Sequence, residues 1–287
     1  MEKPYLTELG RKTLPRATRA RQNKGVRVLS RLALLLGLLA ASPVRSSAAP
    51  VPEIVGPQRL MMIGGGPRPA EAMGRFADWA GGPKANILVV TWASRKGEGA
   101  FAPLAADLGR AGAGAVVHAP AALAAAEDPQ ALRRRLEDAS GVFFSGGDQK
   151  RLMKTLSDLE LLDYFRERYQ NGLPVAGTSA GTAIMSSLMI SGDGNGTAQG
   201  LGLVAGAVVD QHFLRRERLG RLIAVVEKET GILGVGIDEG SAVSVEGRTH
   251  AQAIGPSPVT LVSCDGKSPR ACVTQVAPGA RFSLPAR

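Results

Sequence analysis

Residues 174–187 read PVAGTSAGTAIMSS. A short apolar run leads into Gly177-Thr178-Ser179-Ala180-Gly181, and small residues of helical character follow. G-x-S-x-G between a strand and a helix is the pattern of a nucleophile elbow. The sharp turn pushes the serine hydroxyl out at the edge of a sheet, and the flanking glycines relieve the crowding. The helix start adds backbone N–H groups and a positive dipole end, which suit a developing oxyanion. A small-residue helix start packed on a sheet would leave similar letters, but the surrounding pattern favours the elbow.

That pattern is strand–helix alternation. RLMMIGGG (59–66) predicts a strand running into a glycine loop, and helical periodicity follows over 70–80. NILVVTWAS (86–94) is an unbroken apolar run, as expected of a strand buried on both faces. The chain continues with a helix over 100–112, the strand AVVHA, a charged helix over 128–138, the strand GVFFSGGDQ (141–149) and a helix over 150–170. After LPVAGTS come GAVVD (206–210), an Arg-rich helix over 214–229, then ILGVGIDEG, SAVSVEG and HAQAIG. The reading is an α/β fold with a mostly parallel sheet, helices on both faces and antiparallel strands at the C-terminal edge. The core spans about 58–262, within one domain of residues 49–287. Residues 49–57 and the tail 263–287 are expected to be irregular. In such sheets ligands gather at the carboxyl ends of the strands. IGGG, SGGDQ, GTSAG, DQH and IDEG all fall there.

Charge is unevenly placed. Residues 1–48 hold ten Lys/Arg against two Glu and so carry +8 of the formal +10, leaving +2 for the remainder. The body therefore offers no electrostatic footprint for nucleic acid. The basic stretch ends at Arg31, LALLLGLLAA (32–41) is too short to span a bilayer comfortably, and Ser46 and Ala48 suit cleavage before Ala49. This is the three-part pattern of a signal peptide, so export to the periplasm or the exterior is expected and 1–48 is set apart from the fold. In an exported chain Cys264 and Cys272 would often close a local disulfide loop. Two cysteines and three scattered histidines give no metal-ligand spacing. No metal or organic cofactor is expected, and homodimerisation stays open.

A serine nucleophile needs a base. His118 ends a strand, and His250 lies in the hairpin region as a surface cross-strand residue. His212, at the strand tip VVDQHF, is the best placed to take the serine proton and return it to a leaving amine. Asp193 in a glycine-rich loop, Glu239 in GIDEG and Asp210 are the acids that could orient the imidazole. The oxyanion donors would be the N–H groups of Ala180 and of Gly147. Arg215, Arg218 and Arg221 share a spacing of three, with Arg216 beside them. Arginine holds a carboxylate bidentately, so a helix carrying them beside the base suggests an acidic group on the substrate. Asp148, Asp210, Asp238 and Glu239 fall at the same edge, which would also suit a cationic group.

FFSGGDQ, GTSAGTA, VVDQHFLRRERLGRL and GVGIDEGSA, in that order, resemble the cyanophycinase family of serine peptidases, relatives of the aspartyl dipeptidase peptidase E. The likeness covers roughly 59–262 and implies a flavodoxin-like, class I glutamine amidotransferase-like sheet. It implies a serine exopeptidase acting on cyanophycin, a poly-aspartate chain with arginine on each side-chain carboxyl, and releasing β-aspartyl-arginine. By position Ser179 matches the family nucleophile and His212 its base. Gln149, Asp210, Gln211, Arg216, Arg218, Arg221 and Glu239 match residues lining its substrate pocket. Asp193 is the first choice for the acid and Glu239 the alternative. Another β-linked or N-terminal aspartyl peptide is the related substrate. Exported members of the family carry signal peptides.

Two other readings compete. An α/β-hydrolase esterase needs several strand–helix units before its late histidine, and only 33 positions separate Ser179 from His212. A non-catalytic exported binding protein on the same scaffold would have no use for both residues.

Overall fold

The computed structural model describes residues 56–286, apart from 193, 195, 230 and 265–270. The leader lies outside the described residues. The strands are β1 (Arg59–Ile63), β2 (Asn86–Val90), β3 (Ala115–His118), β4 (Gly141–Phe144), β5 (Val175–Thr178), β6 (Leu188–Ile190), β7 (Thr197–Gln199), β8 (Ala207–Gln211), β9 (Leu233–Ile237), β10 (Ala242–Glu246), β11 (His250–Ile254), β12 (Val259–Ser263), β13 (Cys272–Val276) and β14 (Arg281–Ser283). The helices are α1 (Ala70–Trp79), α2 (Glu98–Arg110), α3 (Ala122–Glu127), α4 (Pro129–Asp138), α5 (Gln149–Asp158), α6 (Leu162–Gln170), α7 (Ala180–Ala183) and α8 (Leu219–Lys228).

The central sheet runs β14-β11-β10-β1-β5-β4-β2-β3. Its five strands from β1 to β3 are parallel, and β10, β11 and β14 extend it antiparallel. The parallel strands are apolar without alternation because both faces are covered. Leu60, Met62, Val142, Phe144 and Val175 pack in one core, and Met61, Ile63, Ile87, Phe143 and Ala176 in the other.

The expectation of one sheet is corrected in one respect. β8 and β9 leave the central sheet and build a second, ordered β13-β12-β9-β8. β10 pairs with β1 on the side away from β5, so β1 has no free edge for another parallel neighbour. β8 and β9 instead pair in parallel with each other, joined through α8. One face of this pair, with Ala207, Val209, Val235 and Ile237, enters the core of the central sheet. The other face packs Val208 with Phe213, Leu222, Val225 and Val226. Gly234 and Gly236 make that packing possible. A Cβ at 236 would come 2.6 Å from the Phe213 ring, and one at 234 would come 2.9 Å from Leu222 and Val226.

Four further expectations change. The tail after 263 is not irregular: β13 pairs with β12 and β14 with β11. The helix expected over 150–170 is two, broken where Glu160 takes φ 55°. The Arg-rich helix expected from 214 begins only at Leu219, because positive φ at His212 (50°) and Glu217 (51°) keeps 213–218 in turns. Cys264 and Cys272 are free thiols, so the local disulfide is not formed.

Candidate active site

Ser179 follows β5 in the turn to α7, with φ 53° and ψ −112°. Such a conformation costs a non-glycine residue about 1–3 kcal/mol and persists only where the surroundings enforce it. Here they do. The Ser179 N–H donates to the Ile63 carbonyl at 3.0 Å, and the Thr182 hydroxyl lies 2.7 Å from the carbonyl oxygens of Ile63 and Gly177. The two framing glycines are steric requirements. A Cβ at Gly177 would meet the Gly181 backbone at 2.5 Å, and one at Gly181 the Phe144 carbonyl oxygen at 2.2 Å.

His212 leaves the tip of β8 and reaches the serine, with Nε2 2.8 Å from Oγ. Its Nδ1 lies 2.6 Å from Oε1 of Glu239, which sits just beyond β9. A carboxylate can only accept, so Nδ1 carries the proton and Nε2 turns its lone pair to the serine hydroxyl. Burial lowers the His212 pKa from its ordinary 6.5. The Glu239 hydrogen bond opposes this, and the Arg216 guanidinium adds to it. The imidazole is thus neutral and basic at pH 7. Glu239, the alternative acid, is the carboxylate that meets the imidazole. Asp193 lies outside the described residues.

The glycine run after β1 holds His212 in place. The Gly64 carbonyl accepts from the His212 N–H at 2.7 Å. A Cβ at Gly65 (φ 116°) would come 2.3 Å from the imidazole Cε1, and one at Gly66 would come 3.0 Å from Glu239. Sequence reasoning marked IGGG as a strand tip without giving it this task. The absence of side chains over three positions was the available signal.

At the oxyanion side the two glycines of SGGD differ. Gly146 faces the serine, since a Cβ there would lie 3.3 Å from Ser179 Cβ. Gly147 presses on the Ala93 carbonyl, which an added Cβ would meet at 2.2 Å. Ala180 is the first residue of α7.

The residues expected to bind substrate divide into two groups. Asp210 is fully buried, paired with Arg218 at 3.3 Å and bonded by Arg221 Nε at 2.6 Å. Arg221 Nη2 meets the same carboxylate, and Arg218 also bonds the Gln211 carbonyl. Gln149 is buried, and its amide donates to the Ile190 carbonyl at 3.0 Å. Arg216 is exposed beside His212, and Arg215 is exposed with its backbone N–H on the Asp238 carboxylate at 2.9 Å. Arg216, Glu217, Arg218 and Arg221 line one cleft of about 310 Å³. Ser179 and His212 open onto another of about 290 Å³, with Gly65, Gly66, Gly146 and Arg68 in its wall. Away from these clefts His118 bonds Thr91 at 2.8 Å and stacks on Phe101, and His250 is exposed on β11.

Residues 60–253 match the model of Peptidase family S51. The chain belongs to that family. A cyanophycinase of Trichormus variabilis is 44% identical over 141 residues, covering 46% of this chain and 47% of the relative. A cyanophycinase of Thermosynechococcus vestitus is 33% identical over 219 residues, covering 71% of this chain and 67% of the relative. The S51 chain thus spans about half the length of the first of these and two thirds of the second. Among solved structures, a peptidase from an acI-B1 Actinobacterium superposes with a TM-score of 0.62 at 22% identity, covering 79% of this chain and 97% of that one. It shares the α/β fold.

Proposed function

We propose that this S51 member is a serine exopeptidase of the cyanophycinase kind, cleaving the poly-aspartate backbone of cyanophycin to β-aspartyl-arginine. The observation that carries the reading is the unbroken hydrogen-bond chain from Ser179 through His212 to Glu239. The names of the curated relatives supply the substrate.

In this reading Ser179 Oγ attacks the backbone carbonyl as its proton passes to His212 Nε2. Glu239 holds Nδ1–H and stabilises the imidazolium. The Ala180 N–H and an amide of the Gly146–Gly147 turn receive the oxyanion. His212 then protonates the departing amine and the acyl-enzyme forms. Water, deprotonated by the same imidazole, releases the acid and restores the serine. Arg216 and the cleft it lines meet substrate carboxylates, and Arg218 and Arg221 keep that wall in place through Asp210. Export follows from the leader and would be checked by sequencing the N-terminus of the protein recovered outside the cytoplasm.

The test is incubation of residues 49–287 with insoluble cyanophycin, Ser179→Ala alongside, and mass analysis of what dissolves. β-Aspartyl-arginine from the wild type alone is expected. No release, with Ser179 still labelled by a serine-directed inhibitor, would discard the polymer and point to short aspartyl peptides.

A further inference from the structure

Arg68 lies five residues beyond β1, in the wall of the cleft that Ser179 and His212 share. Around it the wall is glycine, alanine, proline, leucine, serine, threonine and His212, so among the described residues Arg68 is the one permanently charged side chain lining that cleft. Its guanidinium is held rather than free. Nε and Nη2 both meet Asp107 of α2, and Arg68 and Asp107 side chains are only 19% and 17% exposed. Asp107 also receives Arg110, whose side chain is 72% exposed. One carboxylate therefore serves two guanidinium groups, and the cluster keeps a net positive charge. Nη1 of Arg68 has no acceptor among the described residues. A guanidinium fixed along one edge, with N–H groups spare beside a nucleophile, is prepared to receive an anion at little cost in side-chain entropy.

We infer that Arg68 is a specificity-determining residue that binds a carboxylate of the peptide flanking the scissile bond. It acts on the side of Ser179 distinct from the cleft of Arg216, Glu217, Arg218 and Arg221. Asp107 is its positioning residue. The inference deepens the peptidase reading and rests on it for the substrate class, an acidic peptide bearing free carboxylates. In a β-aspartyl-arginine oligomer two kinds of carboxylate fit: the α-carboxylate of each arginine and the C-terminus of the backbone.

The test is made by binding, so that it does not depend on turnover. In the Ser179→Ala protein, calorimetry compares a short β-aspartyl-arginine oligomer with the same oligomer amidated at its arginine carboxylates, and with one amidated at its backbone C-terminus. Arg68 is expected to prefer the free acid over one amidated form, and that form identifies which carboxylate it holds. Arg68→Gln should reduce the preference by roughly 10- to 100-fold. Equal weakening of all oligomers, or an undiminished preference in Arg68→Gln, would overturn the inference, as would failure of the Arg68 protein to bind any of them. If Arg68→Gln does not fold, Arg68→Lys, which keeps the charge but not the fork, is measured instead. A several-fold smaller preference is expected, and an unchanged one overturns the assignment. Turnover of cyanophycin by the wild type is scored separately, so loss of the peptidase reading and loss of the Arg68 reading give different results.

Discussion

The two sheets contribute differently to one site. The central sheet delivers Ser179 from β5, flanked on both sides by parallel strands and locked by Thr182 and two obligatory glycines. The second sheet delivers His212 and Glu239 from the ends of β8 and β9, a parallel pair whose inner face joins the central core. Ser179 is thus set by local turn geometry, and His212 and Glu239 by how a second layer docks. One element couples them: the Gly64–Gly66 loop after β1, which bonds the His212 backbone and packs on the imidazole and Glu239.

The sharpest way to break that coupling is Gly65→Ala. The new methyl would occupy the place of the imidazole, so turnover should fall roughly ten-thousand-fold or more, as for loss of a triad member. Gly240→Ala is the control. It also has positive φ, but its added Cβ meets nothing within 4 Å. Equal losses in the two variants would show that backbone strain, not displacement of His212, is responsible.

Next in size is Glu239→Gln. The amide can donate to Nδ1 and so favour the wrong tautomer, and kcat should drop about a hundred- to ten-thousand-fold with little change in Tm. An unaffected kcat would hand the acid's role to another carboxylate.

Asp210→Ala tests the second sheet alone. It leaves Arg218 and Arg221 buried without their carboxylate, and denaturant titration should show a loss of about 3–5 kcal/mol. A stable variant with raised KM would instead make this network a substrate contact first and a structural one second.

The smallest effect concerns pH. A base whose pKa is held below 6.5 stays deprotonated further into the acid range, so the acid limb of kcat/KM should lie below that value. Burial is the leading cause and Arg216 a lesser one. Arg216→Gln should therefore shift the limb to higher pH. A shift to lower pH would contradict the sign.

Much of this was legible in the chain. G-x-S-x-G between strand and helix located Ser179 in its turn, because that turn tolerates few other residues. With three histidines, of which His118 also ends a strand, the strand tip read directly after the elbow's own strand pointed to His212. Apolar runs without alternation gave a parallel sheet because burial on both faces leaves no polar phase. The acid was not decided. Asp193 in its glycine-rich stretch, Asp210 two residues before His212 and Glu239 in GIDEG were equally plausible along the chain, and which carboxylate meets Nδ1 depends on where β9 ends relative to β8. The Arg-rich segment misled for a related reason. A spacing of three suggests a helix, but the positive φ at His212 and Glu217 belongs to the docking of Phe213 against Gly236.

The sequence by itself determined the succession of the parallel strands β1 to β5, the elbow serine and the glycine-rich strand ends, since these follow from local sterics and hydrophobic period. Only the tertiary structure decided that β8 and β9 form their own sheet, that Glu239 faces the imidazole, that Asp210 is spent on two arginines and that Arg68 enters the cleft. Each of those depends on which surfaces meet across tens of residues, and the order of residues along the chain does not carry that information.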